Sequence, residues 1–115
     1  SPANLGIFQH LTPVRAEAAW KISQGQGLTI AVIDSGVNYN HPSLASKMAV
    51  NPKEIAGNGK DDDGNGFIDD VLGYDFVNSD GLPFDDDGHG SHVAGLAAGH
   101  GFGIAPQAKI LPIKA

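Results

Sequence analysis

Two short segments of this chain combine residue types and spacings that could do chemistry. Asp34 closes the apolar run LTIAVIDSG (Leu28–Gly36), and His89 opens a small-residue stretch in DGHGSHVAG (Asp87–Gly95). A carboxylate held at a strand end can accept the Nδ1–H of a histidine, fix its tautomer and stabilise the imidazolium formed during acyl transfer. The two residues would supply the carboxylate and the general base of a nucleophilic triad. The third member would be a serine at a strand-to-helix elbow. None of the seven serines (Ser1, Ser23, Ser35, Ser43, Ser46, Ser79 and Ser91) occupies such a turn. Ser35 adjoins Asp34 and Ser91 lies two residues after His89, so neither presents its hydroxyl in the required line. Each half of the pair has an everyday alternative: strand-end aspartates also bind ribose, metals or phosphoryl groups, and a lone histidine at a helix start is commonly structural.

A second set of candidates is acidic. Asp61-Asp62-Asp63-Gly64-Asn65-Gly66-Phe67-Ile68-Asp69 follows the first nine positions of an EF-hand-type calcium loop. Oxygen ligands would come from Asp61, Asp63, Asn65, the Phe67 carbonyl and Asp69, with Gly66 at the sharp turn. Leu72 stands where a bidentate glutamate is expected, and Asp70 is a candidate substitute. Asp75, Asn78 and Asp80 form a second candidate Ca²⁺ set, for which an aspartate-stabilised turn is the alternative; a solvated loop is the alternative for the first.

The bulk numbers narrow the function classes. The 115 residues suit one small domain or one piece of a larger one, and 41% hydrophobic content argues against wholesale disorder. The absence of cysteine removes disulfide and thiolate chemistry. No apolar run approaches the ~20 residues that span a bilayer, so no membrane segment is expected. Net charge is −6, yet Asp61–Asp87 carries −10 and the remainder +4. That stretch would repel phosphate, which disfavours nucleic-acid binding, and it calls for solvation or cations to relieve its own repulsion.

The elements that must position these residues can be read from the same sequence. Leu5–Leu11 reads as an irregular arm. Thr12-Pro13 is a good helix start, with Thr12 as cap, and the alanines through Ile22 favour a helix ending near Gly25 or Gly27. Leu28–Ile33 predicts a strand buried on both faces. Asn38–Pro42 and Asn51–Asp70 predict loops, Gly73–Val77 a short strand, His89–Gly99 a helix, Gly101–Pro106 a connector and Lys109–Lys114 a last strand. Helix then buried strand points to an α/β fold with a parallel sheet, in which sites form at the carboxyl ends of strands.

The stretches AVIDSGVNYNHPSL (Ala31–Leu44), DGHGSHVAGLAAG (Asp87–Gly99) and GIAPQAKILPIKA (Gly103–Ala115) closely resemble the N-terminal portion of the subtilisin-like serine proteases, the subtilases. They occur in that family's order, aspartate before histidine. The resemblance implies a parallel-sheet subtilisin-like α/β fold, incomplete in this chain, with residues 1–115 as the N-terminal segment of one catalytic domain. It implies that Asp34 is the triad aspartate, His89 the general base and His92 a noncatalytic histidine. Ser91 stands where the family usually has threonine, while His10, His41 and His100 match no catalytic element. Tyr74–Gly90 is similar to the calcium loop before the catalytic histidine in thermitase-like subtilases, with Asp75 and Asp80 matching ligand aspartates. The calcium-binding insertion after that histidine is shortened here to His100–Gly103, and its site is not carried over. Asp85 and Asp87, flanking Asp86, are candidates for lining a substrate cleft and favouring basic peptides; a solvated acidic loop is the alternative.

The expected activity is therefore serine-type endopeptidase cleavage of protein or peptide substrates. A second polypeptide is expected to carry the oxyanion asparagine and nucleophilic serine, because Lys109–Ala115 ends on an uncovered apolar strand. A propeptide partner, structural Ca²⁺ and a secreted location accompany the resemblance, the last also drawing on a start at Ser1 without methionine. Two rivals stand beside this reading: a noncatalytic, calcium-stabilised binding module or pseudoprotease, and a metal-dependent hydrolase using Asp34, His89 and His92.

Overall fold

The computed structural model describes residues 13–101 and 103–115; the arm at Leu5–Leu11, His10 and the Thr12 cap lie outside them. In chain order the elements are α1 (Ala16–Trp20), β1 (Thr29–Asp34), a 3-10 turn (Ala45–Lys47), β2 (Tyr74–Asp75), α2 (His89–Ala98) and β3 (Lys109–Lys114). The β-branched run of β1 and the alternating KILPIK of β3 pair in parallel from Thr29↔Lys109 to Asp34↔Lys114. β2 joins the other edge of β3 through Tyr74↔Ile113 and Asp75↔Lys114, giving the order β1-β3-β2. Met48 bridges Ile110, and the Ala49 amide donates to the Ile110 carbonyl at 2.7 Å. The resulting α/β, all-parallel arrangement is the one expected from the sequence.

α1 is shorter than its alanine content suggests. It begins only after Arg15, which adopts a left-handed φ of 56°, and it ends at Trp20. Ala16 is its one buried residue and Ile22 is exposed, so this stretch has little apolar face to bury and propensity alone sustains barely a turn.

The core lies between the sheet and α2. Val32 and Ile110 point to one face, where Ala94 and Ala98 of α2, with Val37, Leu44, Met48 and Ala108, bury them. Truncating Ile110 to alanine in such a site would cost about 2–5 kcal/mol. Two-sided burial of β1 does not hold. Its burial alternates, and Ile33 is 71% exposed, because α2 and the Leu44–Met48 turn cover only the face carrying Val32. The opposite face carries Ala31, Ile33, Leu111 and Ile113, paired Ala31↔Leu111 and Ile33↔Ile113. Among the described residues no helix is long and apolar enough to cross a membrane.

An open apolar face on a parallel sheet should drive association. The isolated 115-residue chain is expected to sediment as aggregates or oligomers, and Ile33→Lys to reduce that association. A monodisperse monomer, unchanged by the substitution, would show that this face is not sticky.

Candidate active site

The sheet sets where the acidic end of the site begins. Asp34 is the last residue of β1, at the carboxyl edge of the sheet, and its main-chain carbonyl accepts the Ala115 amide at 3.1 Å. The chain then turns at Gly36, with φ of 108°, where an added Cβ would lie 2.6 Å from the Pro83 carbonyl oxygen. The Val37 amide donates to that same oxygen at 2.9 Å, so the exit from β1 is pinned to the segment leading into α2.

α2 begins at His89 because Gly88, with φ of 105°, reverses the chain just ahead of it. Gly88 has no side chain to cap the helix, and the first-turn amides find oxygens elsewhere. The Ser91 amide donates to Asp85 Oδ2 at 2.9 Å, and the Gly90 amide donates to Ser35 Oγ at 2.9 Å. Gly90 also lets the helix close onto the β1 exit, since a Cβ there would collide with the Gly36 carbonyl oxygen. The helix start is thus bonded directly to the residue after Asp34.

This docking brings Asp34 and His89 together. His89 Nδ1 lies 2.8 Å from both Asp34 Oδ1 and Asp34 Oδ2, and the Ser35 amide donates to Oδ1 at 2.6 Å. The Ser35 amide first, and His89 second, hold the Asp34 carboxyl below its ordinary range. The hydrogen bond to Asp34 and then its charge raise the His89 imidazole, with smaller contributions from Asp87 and Asp85. With Asp34 ionised and accepting, the neutral ring carries its proton on Nδ1. Nε2, on the ring edge away from Asp34, is then a free base on a side chain 65% exposed.

The neighbouring hydroxyls are already committed. Ser35 Oγ donates to Asp85 Oδ1 at 2.8 Å, and Ser91 Oγ donates to Asp85 Oδ2 at 2.6 Å while accepting the Asn38 amide at 2.8 Å. His92 is exposed beside His41, Ser43 and Leu44. Asp34, His89 and His92 do not converge as a ligand trio; among the described residues the carboxylates that do are Glu54, Asp63 and Asp70. The metal-hydrolase rival therefore loses its geometric basis.

Asp85 departs from its expected place in a substrate cleft. It is only 8% exposed and faces inward, because the uncapped amides of the turn and helix draw its carboxylate in. Burial by itself would push its carboxyl up. The Gly88 amide, the Ser91 hydroxyl and amide, and the Ser35 hydroxyl outweigh burial and hold it far below the ordinary range. Asp86 turns instead to Lys114 Nζ at 3.2 Å. Asp87 is exposed, and among the described residues its carboxylate has no hydrogen-bond partner.

The acidic loop is also rearranged relative to an EF-hand. Asp61 spends both oxygens on the Asn65 and Gly66 amides, at 3.2 and 2.8 Å, and the Asn65 side chain caps the Phe67 amide and reaches Asp70. The oxygens that converge belong to Asp63, Asp70 and Glu54, all within 4.8 Å of one another. Asp61, Asn65, Phe67 and Asp69 stand outside that trio. Glu54, absent from the sequence-derived ligand set because it lies seven residues ahead of the loop, is buried, and burial raises its carboxyl. Glu54 Oε2, Asp69 Oδ1 and Asp70 Oδ1 are buried without hydrogen-bond partners, which is the condition a hard cation would relieve. The second set differs. Asp75 is 1% exposed, and its oxygens accept the Val77 and Asn78 amides and Asn78 Nδ2 at 2.8–3.0 Å, so this turn closes on itself.

Comparison with known proteins agrees with this architecture. The sequence pattern of the Subtilase family matches residues 25–115. Subtilisin-like protease 1 of Plasmodium berghei (strain Anka) is 46% identical over 93 residues, covering 75% of this chain and 16% of that protein. Thermitase of Thermoactinomyces vulgaris is 36% identical over 107 residues, covering 88% of this chain and 30% of that protein. The crystal structure of a cold adapted subtilisin-like serine proteinase superposes with a TM-score of 0.56 at 31% identity, covering 81% of this chain and 26% of its own. The chain thus spans less than a third of each of these proteins, and it belongs to the subtilase family.

Proposed function

We propose that this chain supplies the aspartate and histidine of a serine-type endopeptidase. The observation that carries the proposal is the hydrogen bond from His89 Nδ1 to an ionised Asp34, which leaves Nε2 as a base on an exposed ring. In the complete enzyme, Nε2 takes the proton of a serine hydroxyl as the serine oxygen bonds to the peptide carbonyl carbon. It returns that proton to the leaving amine as the C–N bond breaks. Asp34 holds the ring and stabilises the imidazolium between these steps. The serine and the oxyanion asparagine come from a further segment or second polypeptide, a reading supported by the open apolar face of Ala31 and Ile33 and by the commitment of Ser35 and Ser91 to Asp85. A propeptide partner and a secreted site of action belong to the same proposal. Exposed Asp87 is the remaining candidate for attracting a basic substrate residue.

The proposal includes a structural Ca²⁺ in the acidic loop, with Glu54, Asp63 and Asp70 as its converging carboxylates and Asp69 alongside. The orphaned oxygens support this site, whereas the Asp75–Asp80 turn offers no comparable buried oxygen. When bound, the ion would neutralise the mutual repulsion of these groups and rigidify the loop.

In the complete protein a fluorophosphonate probe should label one serine; absence of labelling would favour the noncatalytic binding module. Asp34→Asn should lower kcat by roughly 10⁴-fold, the scale seen when a triad carboxylate becomes an amide. The sign of the pH dependence follows from the raised imidazole, since the base form exists only above its pKa. The acid limb of kcat/KM should therefore lie above about 6.5, the ordinary imidazole value, and move down in Asp34→Asn. An unmoved limb would mean that His89 is not the titrating base. Calcium at 100 times its Kd should add about 2.7 kcal/mol to stability by mass action. Thermal melting should register that gain in the wild type and a smaller one in Glu54→Gln, whereas equal shifts in both would remove Glu54 from the site.

A further inference from the structure

Among the described residues, the Asp85 carboxylate accepts five hydrogen bonds, none of them from Asp34 or His89. The Asp85 carboxylate accepts from Ser35 Oγ, the Asp87 amide and the Gly88 amide on Oδ1, at 2.8, 3.0 and 2.8 Å. On Oδ2 it accepts from the Ser91 amide and the Ser91 hydroxyl, at 2.9 and 2.6 Å. These donors come from the two segments that must meet to make the site: the β1 exit and the turn that opens α2.

We propose that Asp85 is a positioning residue for the Asp34–His89 pair, its buried carboxylate locking Ser35 beside Asp34 to the amides that flank His89. The proposal rests on the protease reading above. On one side the chain of contacts is short, because Ser35 is held through its hydroxyl while its own amide bonds Asp34 Oδ1 at 2.6 Å. On the other side Asp85 grips Gly88 and Ser91, the residues bracketing His89 and Gly90. Ser35 Oγ closes the circuit by accepting the Gly90 amide at 2.9 Å. A buried anion is tolerated only when its lone pairs are filled, and a helix N-terminus is a favourable place for one. No neutral residue of this size fits the arrangement. An asparagine would turn an NH₂ toward either the Ser91 amide or the Gly88 and Asp87 amides, and none of these can accept.

The test uses the complete protease carrying Asp85→Asn, Ser35→Ala and both substitutions. Ser35→Ala keeps the Asp85 charge and removes only the link to the β1 exit, so it separates positioning from electrostatics and remains informative if Asp85→Asn fails to fold. Each single variant should lower kcat by up to about 10²-fold, the scale of an ångström-sized misplacement, with KM unchanged for matched basic and neutral peptides. The double variant should fall little further than the worse single, as expected for residues in one network. The acid limb of kcat/KM, which reports His89 facing Asp34, Asp87 and Asp85, should move down in both singles. A lower melting temperature with wild-type kcat and an unmoved limb would reduce Asp85 to a structural role and overturn the proposal. A rise in KM confined to basic peptides would overturn it too, by returning Asp85 to the substrate cleft. If the wild type neither labels with fluorophosphonate nor cleaves peptides, the protease reading falls and takes this proposal with it. If the wild type is active and only the variants behave as wild type, the positioning role alone falls.

Discussion

The contact between the Gly90 amide and Ser35 Oγ seats the start of a helix directly on the exit of a strand, and the remaining geometry follows from that closeness. Strand end and helix start each leave polar groups without partners in their own element. Here those groups serve one another through Ser35 and Asp85, with glycines at the points where a Cβ would hold the two apart. An imidazole at the first helical position is then within hydrogen-bond reach of the last carboxylate of the strand, 2.8 Å away. The short small-residue helix extends the same logic into the core, since Ala94 and Ala98 let α2 lie close on Val32 and Ile110.

The elements around the site were legible in the sequence because their signals are local. Lys109–Lys114 is a strand with the expected bounds, β1 is shifted from Leu28–Ile33 by one residue at each end, and α2 starts at His89. Those segments combine β-branched or alternating apolar residues, or small helix formers, and β1 and α2 are also punctuated by glycine at their ends. Burial was less legible because it depends on what covers a face, and nothing within LTIAVI reveals that Ile33 stays open while Val32 is covered. The same limit explains α1, where alanine-rich propensity promised more helix than packing supports.

Within the site, sequence reasoning found the residues whose type announces chemistry and missed those whose role is set by their surroundings. Asp85 sits in a run of three aspartates indistinguishable by composition, and only the fold turns it inward while Asp86 meets Lys114 and Asp87 stays exposed. Its spacing ahead of a glycine that cannot cap a helix was an available signal, since an uncapped start needs an acceptor from somewhere. Glu54 had no such signal. An EF-hand register counts forward from Asp61, whereas the chain folds back and presents a carboxylate from ahead of the loop.

The loop between the two halves of the site is closed at its neck, where the Asn51 amide donates to the Val71 carbonyl at 2.8 Å. Everything from 52 to 70 is an excursion that leaves and returns at nearly the same point. Because closure entropy grows only with the logarithm of length, doubling such an excursion costs about 0.6 kcal/mol. The Phe67 ring packs 4.8 Å from the Tyr74 ring, and the Asp69 carbonyl oxygen lies against Gly81. It is therefore length changes at the exposed turn of residues 55–60 that would leave Asp34 and His89 where they are. The exposed part of the acidic segment can thus be lengthened or trimmed at small cost while the residues flanking it keep their register.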